Sequence, residues 1–281
     1  MLSIFDTYIA SILNYGCEIW GMHAANDIEK VHLEYIEFVL SVKKNTNTAI
    51  VYFETGRLPM KTIRLFRIFK FWFKLLQSQN CILQSCYKML YNECESSLAP
   101  AENWVTVIKN KLFEIGLGHI WYEQEYIHCE TYLPLIKQRI IDHFTQQLVE
   151  QINSSSRCYF YKHIIDQFSL QYYLTKSIPS KYKKQITRIR LSSHRLAIES
   201  GRHTNVPKER RLCKFCSDIE DEFHFVLKCQ QYREIRVKYI KKYYWKKPSV
   251  YKFIQLLSVQ NFKELCNLGK YLHLAFNIHD N

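Results

Sequence analysis

Apolar residues recur along this chain at three- and four-residue steps, the spacing of helices that bury one side. Asn26 and Asp27 stand where a helix is capped, and Ile28, Val31, Tyr35, Val39 and Leu40 then fall near one face. Residues 47–55 predict a short helix stopped by Gly56, since glycine readily takes the left-handed turn that ends helices. Pro59 suits the first turn of a longer helix running to about Gln77. On it Leu65, Phe66, Phe69, Trp72, Phe73 and Leu76 cover one side, and Arg64, Arg67, Lys70 and Lys74 the other. That pattern predicts a buried face with a solvated basic back, with nucleic-acid or membrane-surface contact as the alternative use of the cations. Further helices are predicted over 81–95, 102–115, 132–152, 158–168, Tyr232–Trp245 (stopped near Pro248), 249–258 and 261–277. Ser154, Ser155 and Ser156 form the best candidate linker, and Ser177 to Ser180 a second. The expected fold class is mainly α. It has two parts: a helical region over 1–153, and a basic helical region over 157–281 holding a small zinc-binding module at about 202–236.

Composition agrees with a packed protein, because 47% of the 281 residues are hydrophobic and only 7 are Gly and 6 Pro. The 20 Tyr and 17 Phe serve core packing and base stacking equally well. Seven of the ten cysteines, Cys17, Cys81, Cys86, Cys94, Cys129, Cys158 and Cys266, sit singly among helical patterns, which reads as buried free thiols in a reducing compartment. The most apolar stretch, Ile63 to Leu76, is interrupted by four cations and cannot span a bilayer. Met1 to Leu13 carries Asp6 and no Lys or Arg, unlike a secretory leader. These features predict a soluble intracellular protein, nuclear or cytoplasmic, with no membrane partner.

Chemistry concentrates in one place. Cys213 and Cys216, two residues apart, are followed by His224 and then Cys229, with Phe223, Phe225, Val226 and Leu227 as apolar padding. Four soft or borderline donors in a compact loop are how a structural Zn²⁺ site is written. Four protein donors also fill a tetrahedral shell and leave no position for an activated water. His194 and His203 flank the cluster without a cysteine at a comparable spacing and read as ordinary side chains. No Gly-rich phosphate loop, Gly-x-Ser-x-Gly turn or adjacent Asp pair is present, so no catalytic residue and no small-molecule substrate is predicted.

Charge collects around the same cluster. From Lys181 to Lys247 there are 19 Lys+Arg against 7 Asp+Glu, a net of +12 in a chain whose total is +13. A concentrated positive field points to a polyanion, most simply RNA or DNA. Asp218, Glu220, Asp221 and Glu222 would repel phosphate within the loop itself. The expected contacts are therefore the flanks: Arg188, Arg190, Arg195, Arg202, Lys208, Arg210 and Arg211 before the cluster, and Lys228, Arg233 and Arg236 after it. Tyr232, Tyr239, Tyr243, Tyr244 and Trp245 are candidates for stacking on unpaired bases, or for packing an amphipathic helix.

Two blocks then resemble a known family. Residues 4–21, with Tyr15-Gly16-Cys17-Glu18-Ile19-Trp20, followed by Ile28 to Tyr35 and by Val51-Tyr52-Phe53-Glu54-Thr55-Gly56-Arg57-Leu58-Pro59, resemble the segment after the polymerase core in non-LTR (LINE-type) retrotransposon reverse transcriptases. Arg188 to His194, Glu199 to Arg202 and the Cys/Cys/His/Cys cluster resemble the zinc-binding tail of those elements. The resemblance implies thumb-like and connecting helices plus that tail, with Cys213, Cys216, His224 and Cys229 as metal ligands and a role in holding template RNA or target DNA. The paired aspartates of the family's catalytic palm are missing from this chain, and so is an endonuclease domain. A non-catalytic nucleic-acid-binding remnant is therefore expected, whose natural partner would include the missing polymerase portion of the parent element. The alternatives are a zinc-stapled protein-interaction domain and an inert fragment of a decayed element.

Overall fold

The computed structural model describes residues 2–23, 25–96, 103–124 and 129–280. Helices make the framework, and the only extended pairing among the described residues is an isolated antiparallel bridge between Leu212 and Ile219. Among those residues, no helix is long and apolar enough to cross a membrane. The helices fall into two units: Met1–Leu33 with Leu58–Gln147, and Glu34–Arg57 with Leu148–Asn281. The units are therefore interleaved, where the sequence reading has them consecutive. The difference arises because residues 34–57 supply buried groups, Glu54 above all, to the C-terminal half.

The first unit is organised by the helix Met60–Leu76, which follows Pro59 and whose Met60 N–H is capped by the Glu29 carboxylate at 2.9 Å. Ile68, Phe69, Trp72 and Phe73 are buried against Tyr87, Val105, Ile108, Leu112, Trp121, Ile136 and Ile140 from the neighbouring helices. The Trp72 indole donates to the Tyr87 hydroxyl at 3.0 Å, so two large aromatics enter this core with their polar ends satisfied. Cys81–Glu95 and Trp104–Glu114 are both started by asparagine side chains, Asn80 and Asn103, accepting from the first turn. Residue 102, where the second of these was predicted to begin, lies outside the described residues. The predicted solvated back of Met60–Leu76 holds for Lys70 and Lys74 but not for Arg64, which is buried and paired with Glu29 at 2.8 Å.

In the second unit the helix Thr48–Thr55 is buried from Ala49 to Thr55, with Asn47 as its N-cap and Gly56, at φ 60°, as its C-cap. Its Glu54 meets Arg190, at the end of Ser180–Arg190, at 2.6 Å, and Ser180–Arg190 in turn shares a core with Val250–Leu257 and Phe262–Asp280. Ser180–Arg190 and Phe262–Asp280 approach so closely that a Cβ on Gly269 would lie 2.7 Å from that of Tyr182. The core runs from Ile186 and Ile189 through Phe225, Val226 and Leu227 to Leu268, Tyr271 and Leu272. Two predicted helices differ here. Residues 158–168 form 3₁₀ turns at Ser156–Cys158 and Tyr161–His163, because Cys158, Tyr161 and Ile164 are buried at three-residue steps, the period of a 3₁₀ helix. Tyr232–Trp245 divides into Arg233–Tyr239 and Lys242–Trp245, because Ile240 turns to an extended conformation and enters the core. The serines at 154–156 make no free linker: Ser154 ends a helix, Ser155 caps the next turn and Ser156 accepts from Arg202. The ten cysteines are free thiols, and Cys81 and Cys86 are exposed rather than buried.

Candidate metal centre

Cys213 and Cys216 lie on a tight turn that folds back on itself. The Cys213 N–H donates to the Asp218 carbonyl at 2.7 Å, and the Ser217 N–H to the Cys213 carbonyl at 3.0 Å. To close it, Ser217 takes φ 58°, the left-handed region that most side chains avoid. The other two donors come from His224–Lys228, a single π-helical turn closed by the Cys229 N–H on the His224 carbonyl at 2.8 Å. In an α-helix, residues five apart point about 140° away from each other. The wider π turn brings His224 and Cys229 back to one side, which is why five-residue spacing serves as a ligand pair here.

The four donor atoms lie within 4.8 Å of one another. Cys229 Sγ is 3.4 Å from Cys216 Sγ and 3.9 Å from Cys213 Sγ. Sulfurs at about 2.3 Å from a tetrahedral metal would stand about 3.8 Å apart, so the cluster is already near that geometry. His224 is 4% exposed, yet neither ring nitrogen makes a hydrogen bond; Nδ1 stands 3.7 Å from Asp218 Oδ2. A buried imidazole with nothing to bond is costly unless it has another partner. Burial pushes the His224 ring down, which favours the neutral ligand form. Burial pushes the Cys213 thiol up and, with the Cys216 contact, Cys229 to about 12, so a metal would have to displace protons here. This donor set can hold a metal ion.

The cluster is braced from behind. Arg236, 3% exposed, donates from Nε to the Val226 carbonyl and from Nη2 to the Cys229 carbonyl, both at 2.7 Å. The Tyr271 hydroxyl lies 3.0 Å from the carbonyls of Phe225 and Val226. Together they satisfy carbonyls that a one-turn helix leaves open. The acidic loop does similar work. Asp221 caps the turn by accepting from the His224 N–H at 2.7 Å. Glu220 accepts from the Ala197 N–H at 2.7 Å and faces His279 at 3.3 Å. Burial opposes its charge, but the His279 ring and that N–H outweigh it and hold the carboxyl below the usual range. Glu222 is bound by Ser192 at 2.7 Å and His194 at 2.9 Å, and despite burial the histidine holds its carboxyl down as well. Of the four acids expected to repel phosphate, Asp218 alone is exposed. The others are spent inside the fold.

The flanking cations separate by exposure. Arg195, Lys208, Arg210, Lys228 and Arg233 are exposed. Arg188, Arg202 and Arg211 are partly buried: Arg188 and Arg211 donate to backbone carbonyls, and Arg202 pairs with Glu199. Arg190 and Arg236 are buried and internally paired, so they present no surface for a phosphate. Among the predicted stacking residues Tyr232 and Tyr244 are buried, Tyr239 and Trp245 partly so, and Tyr243 is exposed. His194 and His203 are not ligands; they bond Glu222 and Asn45. The sequence gives Glu54 no partner and shows Glu222 only as a loop acid, because Arg190 and His194, which they bind, are remote in sequence.

Set against protein-family models, curated proteins and solved structures, the chain matches none of them.

Proposed function

We propose that the second unit is a zinc-stapled, non-catalytic module that binds RNA or DNA, in a polypeptide derived from a non-LTR reverse transcriptase. The carrying observation is a closed set of four donors at the centre of a segment with nearly all the chain's net charge, where Arg195, Lys208, Arg210, Lys228 and Arg233 remain exposed. Zinc is the metal that three sulfurs and an imidazole select at tetrahedral spacing, and its role would be to tie the turn at 213–216 to the turn at 224–229. The blocks at 4–21, 51–59 and 188–233 support the reverse-transcriptase origin. No motif supplies the clustered acids that two-metal phosphoryl transfer requires, and Glu220, Asp221 and Glu222 are used for capping and pairing.

Elemental analysis should find about one zinc per chain in the wild type, and a loss of most of it in Cys216→Ser. Anisotropy titrations of labelled RNA and DNA 20-mers should show affinity falling steeply with salt, with a slope near −0.7 per phosphate neutralised. Equal zinc in both proteins would remove the metal reading. Affinity independent of salt would move the protein-interaction reading ahead.

A further inference from the structure

The loop following the helix Asn26–Leu40 carries Lys43 and Lys44 and received no role from the sequence. In the structure it is pinned by four separate contacts, three to the region just before the metal turn and one to Arg157. The Lys43 N–H donates to Ser193 Oγ at 2.8 Å, and Lys43 Nζ to the His194 carbonyl at 2.7 Å. Arg188 Nε donates to the Ser41 carbonyl at 3.3 Å, and Arg157 Nη1 to the Asn45 carbonyl at 2.7 Å. The backbone is held in uncommon conformations on both sides of the junction, with Ser41 at φ 54° and Ser192 at φ 48°. Strained residues of this kind persist where the surroundings over-determine them, and they gather at ligand clamps.

The effect is to crowd like charges. Lys43 is buried enough for its ammonium to be pushed down, and Arg195, Arg188 and Arg157 push it further against the pull of Glu199. Burial likewise lowers Arg188, and Arg195 adds to it, with Asp280 opposing. Nearby acids are largely committed: Glu199 to Arg157 at 3.2 Å and Arg202 at 2.8 Å, and Glu34 to Lys44 at 3.0 Å in an exposed pair. Among the described residues no acid lies within ion-pair distance of Lys43, Arg188 or Arg195. Lys43, Arg188 and Arg195 are thus gathered without an ion-pair partner, the arrangement that an oxyanion relieves. The metal turn reaches this place through Glu222, whose carboxylate holds Ser192 and His194 on either side of Ser193.

We propose that loop 41–45, clamped by Arg157 and Arg188, forms with Arg195 the cradle in which the second unit seats the phosphodiester backbone of a nucleic acid. The cradle draws on residues 150 positions away from the metal turn's flank, and the inference rests on the nucleic-acid reading given above. Its occupants are backbone phosphates, so it discriminates little between bases.

The test compares two variants that remove the same charge. In one, Lys43→Gln, Lys44→Gln and Arg195→Gln are combined; in the other, Lys238→Gln, Lys242→Gln and Lys246→Gln, from the exposed cations beyond the cluster. Both are titrated with fluorescein-labelled oligo(U) and oligo(dT) 20-mers over a range of salt. The cradle variant should bind at least about tenfold more weakly and lose about two units of salt slope, against a loss under about threefold in the control. Equal losses in the two variants would overturn the cradle while leaving nucleic-acid binding intact. Absence of salt-dependent binding by the wild type would overturn both readings. Should the triple variant fail to fold, Arg195→Gln alone, at an exposed position, should still flatten the slope by about 0.7. An unchanged slope in a folded Arg195→Gln protein would overturn the cradle.

Discussion

Arg190 shows what a single side chain does in this protein. Its guanidinium is 4% exposed and reaches Glu54 at 2.6 and 3.2 Å, the Leu257 carbonyl at 2.6 Å and Gln171 at 3.1 Å. Tyr161 adds its hydroxyl to Glu54 at 2.8 Å. Burial alone would weaken the arginine's charge, but Glu54 outweighs it and drives the group above its ordinary range. A buried pair of this kind gains little over apolar residues of the same volume, whereas a half-broken pair leaves an unmatched charge in the core. Glu54→Gln should therefore cost about 3–5 kcal/mol in urea unfolding. Glu54→Leu combined with Arg190→Met should recover part of that loss; a double variant no more stable than Glu54→Gln would contradict the pairing as the source. Sequence reading took Arg190 for a surface contact because one strand of text shows charge but not burial. It grouped Cys213, Cys216, His224 and Cys229, whose donor atoms do converge, because their spacing is local, and local spacing is what a turn converts directly into proximity.

At the level of elements, the sequence spoke clearly wherever an element had its own start and stop. Asn47 and Gly56 bracket Thr48–Thr55, and Pro59 opens Met60–Leu76, all as the pattern predicts. It spoke poorly where tertiary contacts set the conformation. The helices Ser180–Arg190 and Ala197–His203 went unpredicted: the first shows only Tyr182, Ile186 and Ile189 on its apolar face among five cations, and the second is short and starts on a cap supplied by Glu220, across the metal turn. The stop at Gly56 is doubly enforced. Its φ is 60°, and a Cβ there would lie 2.6 Å from the backbone at Ser169 and Leu170. Gly56→Ala should thus destabilise the protein by more than about 1 kcal/mol, the direction expected where a left-handed position rejects a side chain. A thermal melt that rises or stays level in this variant would show that the 169–170 segment yields freely.

On the scale of the whole molecule, the second unit is assembled from two separated stretches, 34–57 and 148–281. Glu54, Lys43 and the helix Thr48–Thr55 belong to the first stretch, while the metal donors and Arg190 belong to the second. A polypeptide of residues 148–281 alone should therefore take up zinc but unfold without a sharp cooperative transition. Fusing residues 34–57 to it through a Gly/Ser linker should restore that transition, and failure to do so would argue against the division into these units. The interleaving also has a meaning in time. A chain leaves the ribosome from its N-terminus, and domains fold as they become complete. Residues 34–57 emerge early, with seven consecutive apolar or buried positions from Ala49 to Thr55 and no partner yet made. The helix Ser180–Arg190, whose Arg190 pairs with Glu54, is translated more than 100 residues later. Throughout that interval the first unit can finish folding while this segment stays exposed. During synthesis it is therefore the stretch most in need of a chaperone, although in the finished protein it is among the most deeply buried.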